Sequence, residues 1–298
     1  MIDGRSRVLV TGATGLVGKS LLQHAPRGIS LTATSRQRPI WQGQWVGFDL
    51  NRVERIHPWL DALSPDCIIH TAAISGIAQA AADKLVARRV NVECVQAIGA
   101  WCAANNCRLI HFSTDFVFDG KQGMYSESDR PNPINFYGQT KLTADEWLLR
   151  HVPNLVIVRT VLVYGDHDTL VRPNFYTLVR DSLRAGKSLE ITADQWRTPT
   201  LVDDLAQAVW QLVNIDCGGV INLCGPQYLS VFDFAAIIAQ KLGLDGSLLH
   251  PVNTPTTNTD VTRPLKTGLK IDLAMKLIGF DPCDVEAGID RLINRGKG

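Results

Sequence analysis

Three residues of this sequence have the types and the spacing of a proton-transfer site. Tyr137 and Lys141 lie four positions apart in the segment FYGQTKLTADEW, and Thr114 ends the earlier segment RLIHFST. A tyrosine hydroxyl can protonate an oxygen on which negative charge develops, and a neighbouring ammonium favours the ionised phenol and lowers its pKa. The Thr114 hydroxyl could bind and orient the same oxygen. Together the three side chains could assist the transfer of hydride to a ketone.

The position of Lys141 on its helix favours this interpretation over that of a solvated lysine. A helix turns by about 100° per residue, which places Lys141 on an apolar arc. The other members of that arc are Tyr137, Ala144, Trp147 and Leu148. The opposite arc is polar and holds Gln139, Thr143, Glu146 and Arg150. Because a solvated lysine would belong to the polar arc, we expect Lys141 to be buried.

Hydride transfer needs a nicotinamide donor, and a glycine-rich segment near the start of the sequence is suited to bind one. In VLVTGATGLVGKSLL, Gly12, Gly15 and Gly18 lie between a strand-like run and an apolar helix. Gly12 permits a tight turn, Gly15 lets the backbone approach a pyrophosphate, and Gly18 allows close packing of helix on strand. The predicted cofactor contacts in this segment are Gly12, Thr14, Gly15, Leu16, Val17 and Gly18.

The end of the second predicted strand indicates which dinucleotide is preferred. An NAD site usually offers an acidic residue there to the ribose 2′-hydroxyl, but TATSRQRP contains Ser35, Arg36 and Arg38 and no acid before Asp49. Guanidinium groups pair with a 2′-phosphate, so we predict that NADP(H) is preferred over NAD(H), with Ser35 and Arg36 as contacts. Two solvated surface arginines are the alternative. Asp49 and Leu50 are expected near the adenine, although Asp49 could equally be a turn residue.

An alternation of β-rich runs and helical patterns positions these residues in the first half of the chain. Strands are predicted over 8–11, 29–34, 45–49, 67–71, 108–114 and 155–160. Helices are predicted over 16–23, 53–63 and 84–104, and from 136 onward. Nearly continuous apolar strands alternating with helices indicate an α/β fold, a doubly wound parallel sheet of the NAD(P)-binding Rossmann type. Thr114 then lies at the carboxyl edge of the sheet, where such folds bind ligands.

The alternation breaks after Tyr164. Residues 1–163 are therefore predicted to form a dinucleotide-binding domain, and residues 164–298 a smaller, mixed C-terminal subdomain that binds the substrate. An amphipathic helix over 201–213 and a strand over 220–223 are expected to return to the main sheet. The Pro- and Thr-rich stretch 250–264 is not expected to form regular structure for long. Further helices are predicted near 175–185, 272–277 and 285–293.

Composition argues against several other classes of protein. The 298 residues carry a formal net charge of +1, which provides no basic surface for nucleic acid or an anionic membrane. No apolar stretch approaches the ~20 residues needed to span a bilayer, and the start lacks the apolar core of a signal peptide. The seven cysteines are an odd number without a C-x-x-C pair, which favours buried thiols in a reducing cytoplasm. We expect a cytoplasmic protein that binds no metal.

Several longer motifs resemble those of one enzyme family. They are TGATGLVG, STDFVFDG (113–120), YGQTK, DQWRTPT (194–200) and RPLKTGL (263–269). These segments are similar to those of the extended short-chain dehydrogenases/reductases. The greatest similarity is to the dTDP-4-dehydrorhamnose reductase family and to its relative, the methionine adenosyltransferase regulatory β subunit. The resemblance covers nearly the whole chain. It implies a catalytic triad of Thr114, Tyr137 and Lys141 and, as substrate, a 4-keto-6-deoxy sugar linked to a nucleotide diphosphate.

Further contacts are expected from the resemblance and from position in the predicted sheet. Thr71, Ala72 and Ala73 follow the fourth strand, where the family has an Asn-Ala-Ala-Ala type of run, and are expected at the cofactor. Asn91 lies on an apolar helix face and is either a cofactor contact or the partner in a structural hydrogen bond. The candidate substrate contacts are Ser113, Asp115, Arg197 and Arg263, the two arginines as partners of the pyrophosphate.

Other functions stay open at this point. The sixth strand ends in RTVL (159–162), without the tryptophan that reductases often have there, so the sugar is not identified. The triad would equally serve a nucleotide-sugar epimerase or a dehydratase, which usually adds acidic groups beside the threonine, as Asp115 could be. A non-catalytic NADP-binding regulatory subunit is the alternative of a different class. A homodimer is compatible with each of these functions.

Overall fold

A parallel β-sheet forms the centre of the protein. The computed structural model describes residues 6–166, 173–255 and 260–295. In that part of the chain the strands are β1 (Arg7–Thr11), β2 (Ser30–Ser35), β3 (Gln44–Gly47), β4 (Cys67–His70), β5 (Arg108–Thr114), β6 (Leu155–Thr160), β7 (Val163–Tyr164), β8 (Leu189–Thr192), β9 (Trp196–Arg197), β10 (Thr200–Leu201), β11 (Gly219–Asn222), β12 (Leu229–Ser230) and β13 (Leu249–Val252). Seven of these described strands form one sheet in the order β11-β6-β5-β4-β1-β2-β3, and every neighbouring pair is parallel. The predicted α/β fold with a doubly wound parallel sheet is confirmed.

Helices cover both faces of this sheet. Over the same described ranges the α-helices are α1 (Leu16–Gln23), α2 (Ile56–Leu63), α3 (Ile77–Ala82), α4 (Lys84–Arg88), α5 (Cys94–Ala104), α6 (Phe136–His151), α7 (Phe175–Arg184), α8 (Val202–Asn214), α9 (Val231–Lys241), α10 (Asp272–Ile278) and α11 (Val285–Arg295). A π-helical segment, Arg89–Glu93, joins α4 to α5. The predicted helix over 84–104 is therefore continuous but changes its winding in the middle.

The two faces of the sheet have separate apolar cores, because alternate residues along a strand point to opposite sides. The core under α1 and α8 contains Val8, Val10, Ile69, Ile110 and Val158. The core under α2, α5 and α6 contains Leu9, Ile68, Leu109 and Ile157. Helix α8 and strand β11 both belong to the second half of the sequence, and β11 pairs with β6 at the edge of the sheet. The division into domains at 163/164 stays a prediction. The core under α1 and α8 includes residues from both sides of that boundary.

A third core lies among α7, α9, α11 and the parallel pair of β8 and β13. The helix α9 and the pairing of β8 with β13 were not predicted, and β13 takes up Pro251 and Val252 of the Pro- and Thr-rich stretch. Residues 256–259 of that stretch lie outside the described residues, as do residues 167–172 of the loop expected after Tyr164.

Two aspartates at the start of α8 connect this third core to the first helix. Ser20 of α1 donates a hydrogen bond to Asp203 Oδ1 at 3.1 Å, and Arg295 of α11 donates to the other oxygen of Asp203. Arg291 donates to Asp204 Oδ1 at 2.8 Å. The carboxylates also lie in the first turn of α8, where the helix dipole favours negative charge.

The glycine-rich turn between β1 and α1 allows a stability test. A Cβ on Gly18 would lie 2.3 Å from the carbonyl oxygen of Gly12, whereas a Cβ on Gly15 would come no closer than 3.2 Å to that atom. We expect Gly18→Ala to lower the free energy of unfolding by about 1–3 kcal/mol, because the backbone of the turn must move.

The matched variant is Gly15→Ala, which we expect to cost less than about 1 kcal/mol because Gly15 is the N-cap and has φ −78°. Urea unfolding of the two variants followed by circular dichroism measures both values. Equal losses would show that Gly18 is not required for packing of α1 on β1.

Candidate active site

The start of α6 lies against the turn that follows β5, and this contact brings Thr114 and Tyr137 together. Asn135 caps the helix by accepting a hydrogen bond of 2.8 Å from the backbone N–H of Gly138. A Cβ on Gly138 would lie 2.1 Å from the carbonyl oxygen of Phe116, so this approach requires glycine. The rings of Tyr137 and Phe116 meet edge to face, with centroids 6.3 Å apart. The Thr114 hydroxyl lies close enough to the phenol of Tyr137, at the carboxyl edge of the sheet, to lower the pKa of Tyr137.

The phenol of Tyr137 is held in its protonated form. Burial raises its pKa above the usual value, and the carboxylates of Asp115 and Asp145 raise it further, while the Thr114 hydroxyl acts in the opposite direction. The expectation that the Lys141 ammonium lowers this pKa is wrong, because burial outweighs the favourable interactions and the ammonium contacts other groups. Tyr137 therefore carries its hydroxyl proton at physiological pH.

Lys141 is buried, with 2% of its surface exposed, in agreement with its place on the apolar arc. Its Nζ lies 2.9 Å from Nε2 of His111. Burial lowers the pKa of Lys141 to about 8, and Asp145, one turn further along α6, opposes this change. Burial in turn raises the pKa of Asp145 to about 6. The ammonium and the carboxylate thus belong to one buried group of charges.

Ser113 makes its hydrogen bond inside the protein, and its assignment as a substrate contact stays a prediction. Its hydroxyl donates a hydrogen bond of 2.5 Å to Asp145 Oδ2, and both side chains are buried. The physical reason is the alternation along β5. Ser113 shares the face of His111, which packs toward α6, whereas Thr114 belongs to the opposite side of the strand.

Asp115 and Arg197 face each other inside the protein, and their assignment as substrate contacts stays a prediction. Arg197 Nε lies 3.7 Å from Asp115 Oδ2, and both residues are buried. Asp115 also accepts hydrogen bonds from the hydroxyls of Thr114 (3.1 Å) and Thr267. The guanidinium of Arg197 donates to backbone carbonyl oxygens, including that of Pro264 at 2.7 Å. The segment around Pro264 folds back over the pair and removes it from solvent.

Asn91 lies in the π-helical segment, is fully buried and makes structural hydrogen bonds. Its Oδ1 accepts from the backbone N–H of Ile74 at 2.8 Å, and its Nδ2 donates to the Ile74 carbonyl and to Thr140 Oγ1, each at 3.1 Å. The second of the two roles predicted for Asn91 is thus the one that the structure supports. Asn91 fixes the loop after β4 and the first turn of α6 to each other.

The glycine loop and the loop after β4 lie in direct contact. Gly12 has a φ of +71°, and a Cβ there would lie 2.7 Å from Thr71 Oγ1 and 2.8 Å from the backbone nitrogen of Ala72. The N-cap of α1, Gly15, provides no side-chain hydrogen bond, and the first turn contains no acidic residue. The first N–H groups of α1 therefore remain available to an anion, with Thr14, Leu16 and Val17 around them.

A cavity of about 700 Å³ lies beside the carboxyl ends of β2 and β3. Its lining includes Arg36, Phe48, Asp49, Arg52, Arg55 and Trp59. The rings of Phe48 and Trp59 are stacked with centroids 4.1 Å apart. The structure thus brings Arg36 and Asp49 to one cavity, with two further arginines that the sequence reading did not select.

Three of the predicted cofactor contacts near β2 and β3 have partners inside the protein. Ser35 donates a hydrogen bond to the Gln37 carbonyl and accepts one from Trp45 Nε1, and Leu50 packs against the core under α5 and α6. Asp49 Oδ1 accepts from the backbone N–H of Asn51 at 3.1 Å, so Asp49 also has the turn role that was considered for it.

Three buried titratable residues beneath the site were missed by sequence reasoning. They are His70, His111 and Asp145, all on the side of the sheet that carries α6. A signal for two of them was present, since His111 follows Leu109 at the two-residue period of a strand and His70 follows Ile68 in the same way. Polar residues at the inward positions of buried strands indicate either a buried network or a functional site.

Neither a metal-binding cluster nor a membrane-spanning helix is found within residues 6–166, 173–255 and 260–295. No group of three His, Cys, Asp or Glu side chains among those residues is placed to hold a metal ion. None of the helices there is long and apolar enough to cross a bilayer. All seven cysteines are free thiols, five of them buried.

Known proteins resemble this chain in sequence. The dTDP-4-dehydrorhamnose reductase of Aggregatibacter actinomycetemcomitans is 28% identical over 96% of this chain and 98% of its own length. The dTDP-4-keto-6-deoxy-D-glucose reductase of Streptomyces niveus is 31% identical over 93% of this chain and 92% of its own. The methionine adenosyltransferase 2 subunit beta of Danio rerio is 26% identical over 92% of this chain and 85% of its own.

The fold has close counterparts among solved structures. The dTDP-4-dehydrorhamnose reductase of Bacillus anthracis, solved in complex with NADP, superimposes with a TM-score of 0.86 at 24% identity. That comparison covers 97% of this chain and 99% of the other. The family described as the RmlD substrate binding domain matches residues 6–297. The chain therefore belongs to the RmlD substrate-binding family.

Proposed function

We propose that this protein is an NADP(H)-dependent reductase of a 4-keto-6-deoxy sugar linked to a nucleotide diphosphate. The observation that carries the proposal is the meeting of Thr114 and a protonated Tyr137 at the carboxyl edge of the sheet, where the glycine loop also lies. The names of the relatives, which are reductases of dTDP-linked keto sugars, supply the class of substrate.

The residues present fit a dinucleotide. The uncapped start of α1 offers backbone N–H groups to the pyrophosphate. Gly12 lies against Thr71 and Ala72 and has no side chain that would block the pyrophosphate. Arg36 is exposed and lines the cavity beside β2 and β3, where its guanidinium could pair with a 2′-phosphate. The NADP complex of the Bacillus anthracis relative is consistent with this assignment.

The chain's own residues would supply the proton that completes the reduction. Bound NADPH would provide the hydride to the carbonyl carbon. Tyr137 would donate its hydroxyl proton to the carbonyl oxygen as negative charge develops there. The Thr114 hydroxyl, which donates to Asp115 in this structure, would turn to hydrogen-bond the same oxygen. The products are the alcohol and a phenolate, and the phenolate must regain a proton before the next turnover. The raised pKa of Tyr137 ensures that the phenol carries its proton when the ketone binds.

The structure favours a reductase over a dehydratase. A dehydratase usually adds acidic groups beside the threonine. Both carboxylate oxygens of Asp115 have partners inside the protein, and the next residue is Phe116. Arg263 is the second candidate partner for the substrate diphosphate. It is exposed and lies beside the buried Arg197.

Tyr137→Phe tests the proton-donor role. We expect the variant to bind NADPH normally but to reduce a dTDP-4-keto-6-deoxy sugar about 10²–10⁴-fold more slowly, because only the donated proton is lost. The measurement is the decrease in NADPH absorbance with the keto sugar, together with NADPH binding by fluorescence. Tyr176→Phe is the matched control, since Tyr176 is also buried but lies in the core of α7 and α9.

Two results of this assay would contradict the proposal. Turnover by Tyr137→Phe at the rate of the unmodified protein would exclude Tyr137 as the donor. Tight NADPH binding by the unmodified protein without oxidation by any keto sugar would favour the regulatory role, which the similarity to the methionine adenosyltransferase subunit suggests.

Arg36→Ala tests the cofactor preference. Hydrogen bonds between charged groups contribute about 1.5–3 kcal/mol, so we expect the affinity for NADPH to fall about 10- to 100-fold while that for NADH is unchanged. Isothermal titration with each nucleotide measures both affinities. Arg38→Ala is the matched control, because Arg38 is exposed two residues further on. An unchanged ratio of the two affinities in Arg36→Ala would refute the assignment.

A further inference from the structure

A row of polar side chains lies beneath the candidate site, on the face of the sheet that packs against α6. Thr11, His70 and His111 are neighbours in the register of β1, β4 and β5. On each strand the residue two positions earlier is apolar and belongs to the core under α2, α5 and α6. Polar groups therefore replace apolar packing only at the carboxyl ends of these strands, directly below the cofactor loops.

One member of this row, His111, contacts the ammonium of Lys141. Lys141 Nζ lies 2.9 Å from His111 Nε2, and the same ring nitrogen lies 3.6 Å from Asp145 Oδ1. An ammonium has only donors, so His111 Nε2 must accept, and the neutral ring carries its proton on Nδ1. The ring of His111 stacks on that of His70 at 5.5 Å, and His70 Nδ1 lies 2.9 Å from Thr11 Oγ1.

Asp145 is the counter-charge of this ammonium. Both side chains are buried on consecutive turns of α6, and the bond from Ser113 fixes the orientation of the carboxylate. A buried charge without a partner is strongly disfavoured. The three hydrogens of the ammonium also need acceptors, and His111 supplies one of them at the end of β5. Neither His111 nor Asp145 donates a proton in the proposed reduction, although the charge of Asp145 helps to raise the pKa of Tyr137.

We propose that Asp145 and His111 are positioning residues that fix the place and the charge of the Lys141 ammonium beneath the cofactor site. In this arrangement Lys141 acts as one member of a buried unit with Ser113, Asp145 and His111. The importance of this buried unit for catalysis rests on the proposed reductase function. The protonation state of Lys141 can be measured without turnover.

The titratable groups around Lys141 come from every element packed against it. Cys94 of α5 and Asp145 of α6 raise the pKa of Lys141, although burial is the dominant influence and lowers it. His70 of β4 and His111 of β5 stay neutral, since burial and then the Lys141 charge lower the pKa of each. The Arg159 guanidinium of β6 acts on Asp145 and lowers the pKa of that carboxyl. Asp145 is the buried carboxylate that raises the pKa of Lys141.

The test is the titration of Lys141 Nζ by NMR in protein labelled with ¹⁵N-lysine, with the signal assigned from its absence in Lys141→Gln. We expect Asp145→Asn to lower the pKa of Lys141 by about one unit or more, because a nearby carboxylate shifts a pKa by about 1–3 units. Glu146→Gln is the matched control. It removes the next carboxylate of α6, which faces solvent and pairs with Arg150, and the Lys141 titration should not move.

An unchanged Lys141 pKa in Asp145→Asn would overturn the proposal, as would an equal shift in Glu146→Gln. If Asp145→Asn does not fold, Ser113→Ala decides, because it frees the carboxylate without removing its charge. A shift of the Lys141 titration in Ser113→Ala supports the proposal, and no shift overturns it. Failure of the keto-sugar assay would leave these titrations unaffected, so the two proposals fail separately.

Discussion

The burial of one positive charge between a helix and a sheet governs how this site is built. An ammonium that has lost its water must find acceptors and a counter-charge inside the protein. For Lys141 these come from β5 through His111 and from its own helix through Asp145, which Ser113 of β5 holds in turn. The register of β5 and the rotation of α6 are therefore fixed relative to each other. Because Tyr137 is on the same helix and Thr114 on the same strand, their meeting depends on this arrangement.

The guanidinium of Arg197 is a second buried cation, and its partners fix the structure on the other side of Thr114. The guanidinium of Arg197 is satisfied by Asp115 and by carbonyl oxygens of the segment around Pro264. Since Asp115 also accepts from the Thr114 hydroxyl, the orientation of that hydroxyl depends on residues far away in the sequence. The motifs DQWRTPT and RPLKTGL thus contribute side chains and backbone that support the site from behind, and Arg263 remains the exposed arginine of the two.

Local patterns were sufficient to predict most of the sheet. The bounds of β5, β6 and α1 agree with the apolar runs and the glycine turn because burial and turn geometry in these segments are decided by neighbouring residues. Helix α9 was missed although Ser230 caps it and apolar residues recur at helical spacing. The roles of Ser113, Asp115 and Arg197 could not be predicted locally, since each depends on a partner from another element. The raised pKa of Tyr137 has the same origin, because the sequence shows the nearby lysine but not the depth of burial.

Asp203 has a consequence for how the chain folds as it is synthesised. Its carboxylate is bound by Ser20, from the helix that follows the glycine loop, and by Arg295 of α11. The strand at the edge of the sheet, β11, is likewise made after the other six. A nascent chain that has released only its first half would therefore carry an open sheet edge and an unsupported first helix. A truncation that removes Arg295 would therefore take away an ion-pair partner of Asp203, the residue that also binds the helix after the glycine loop.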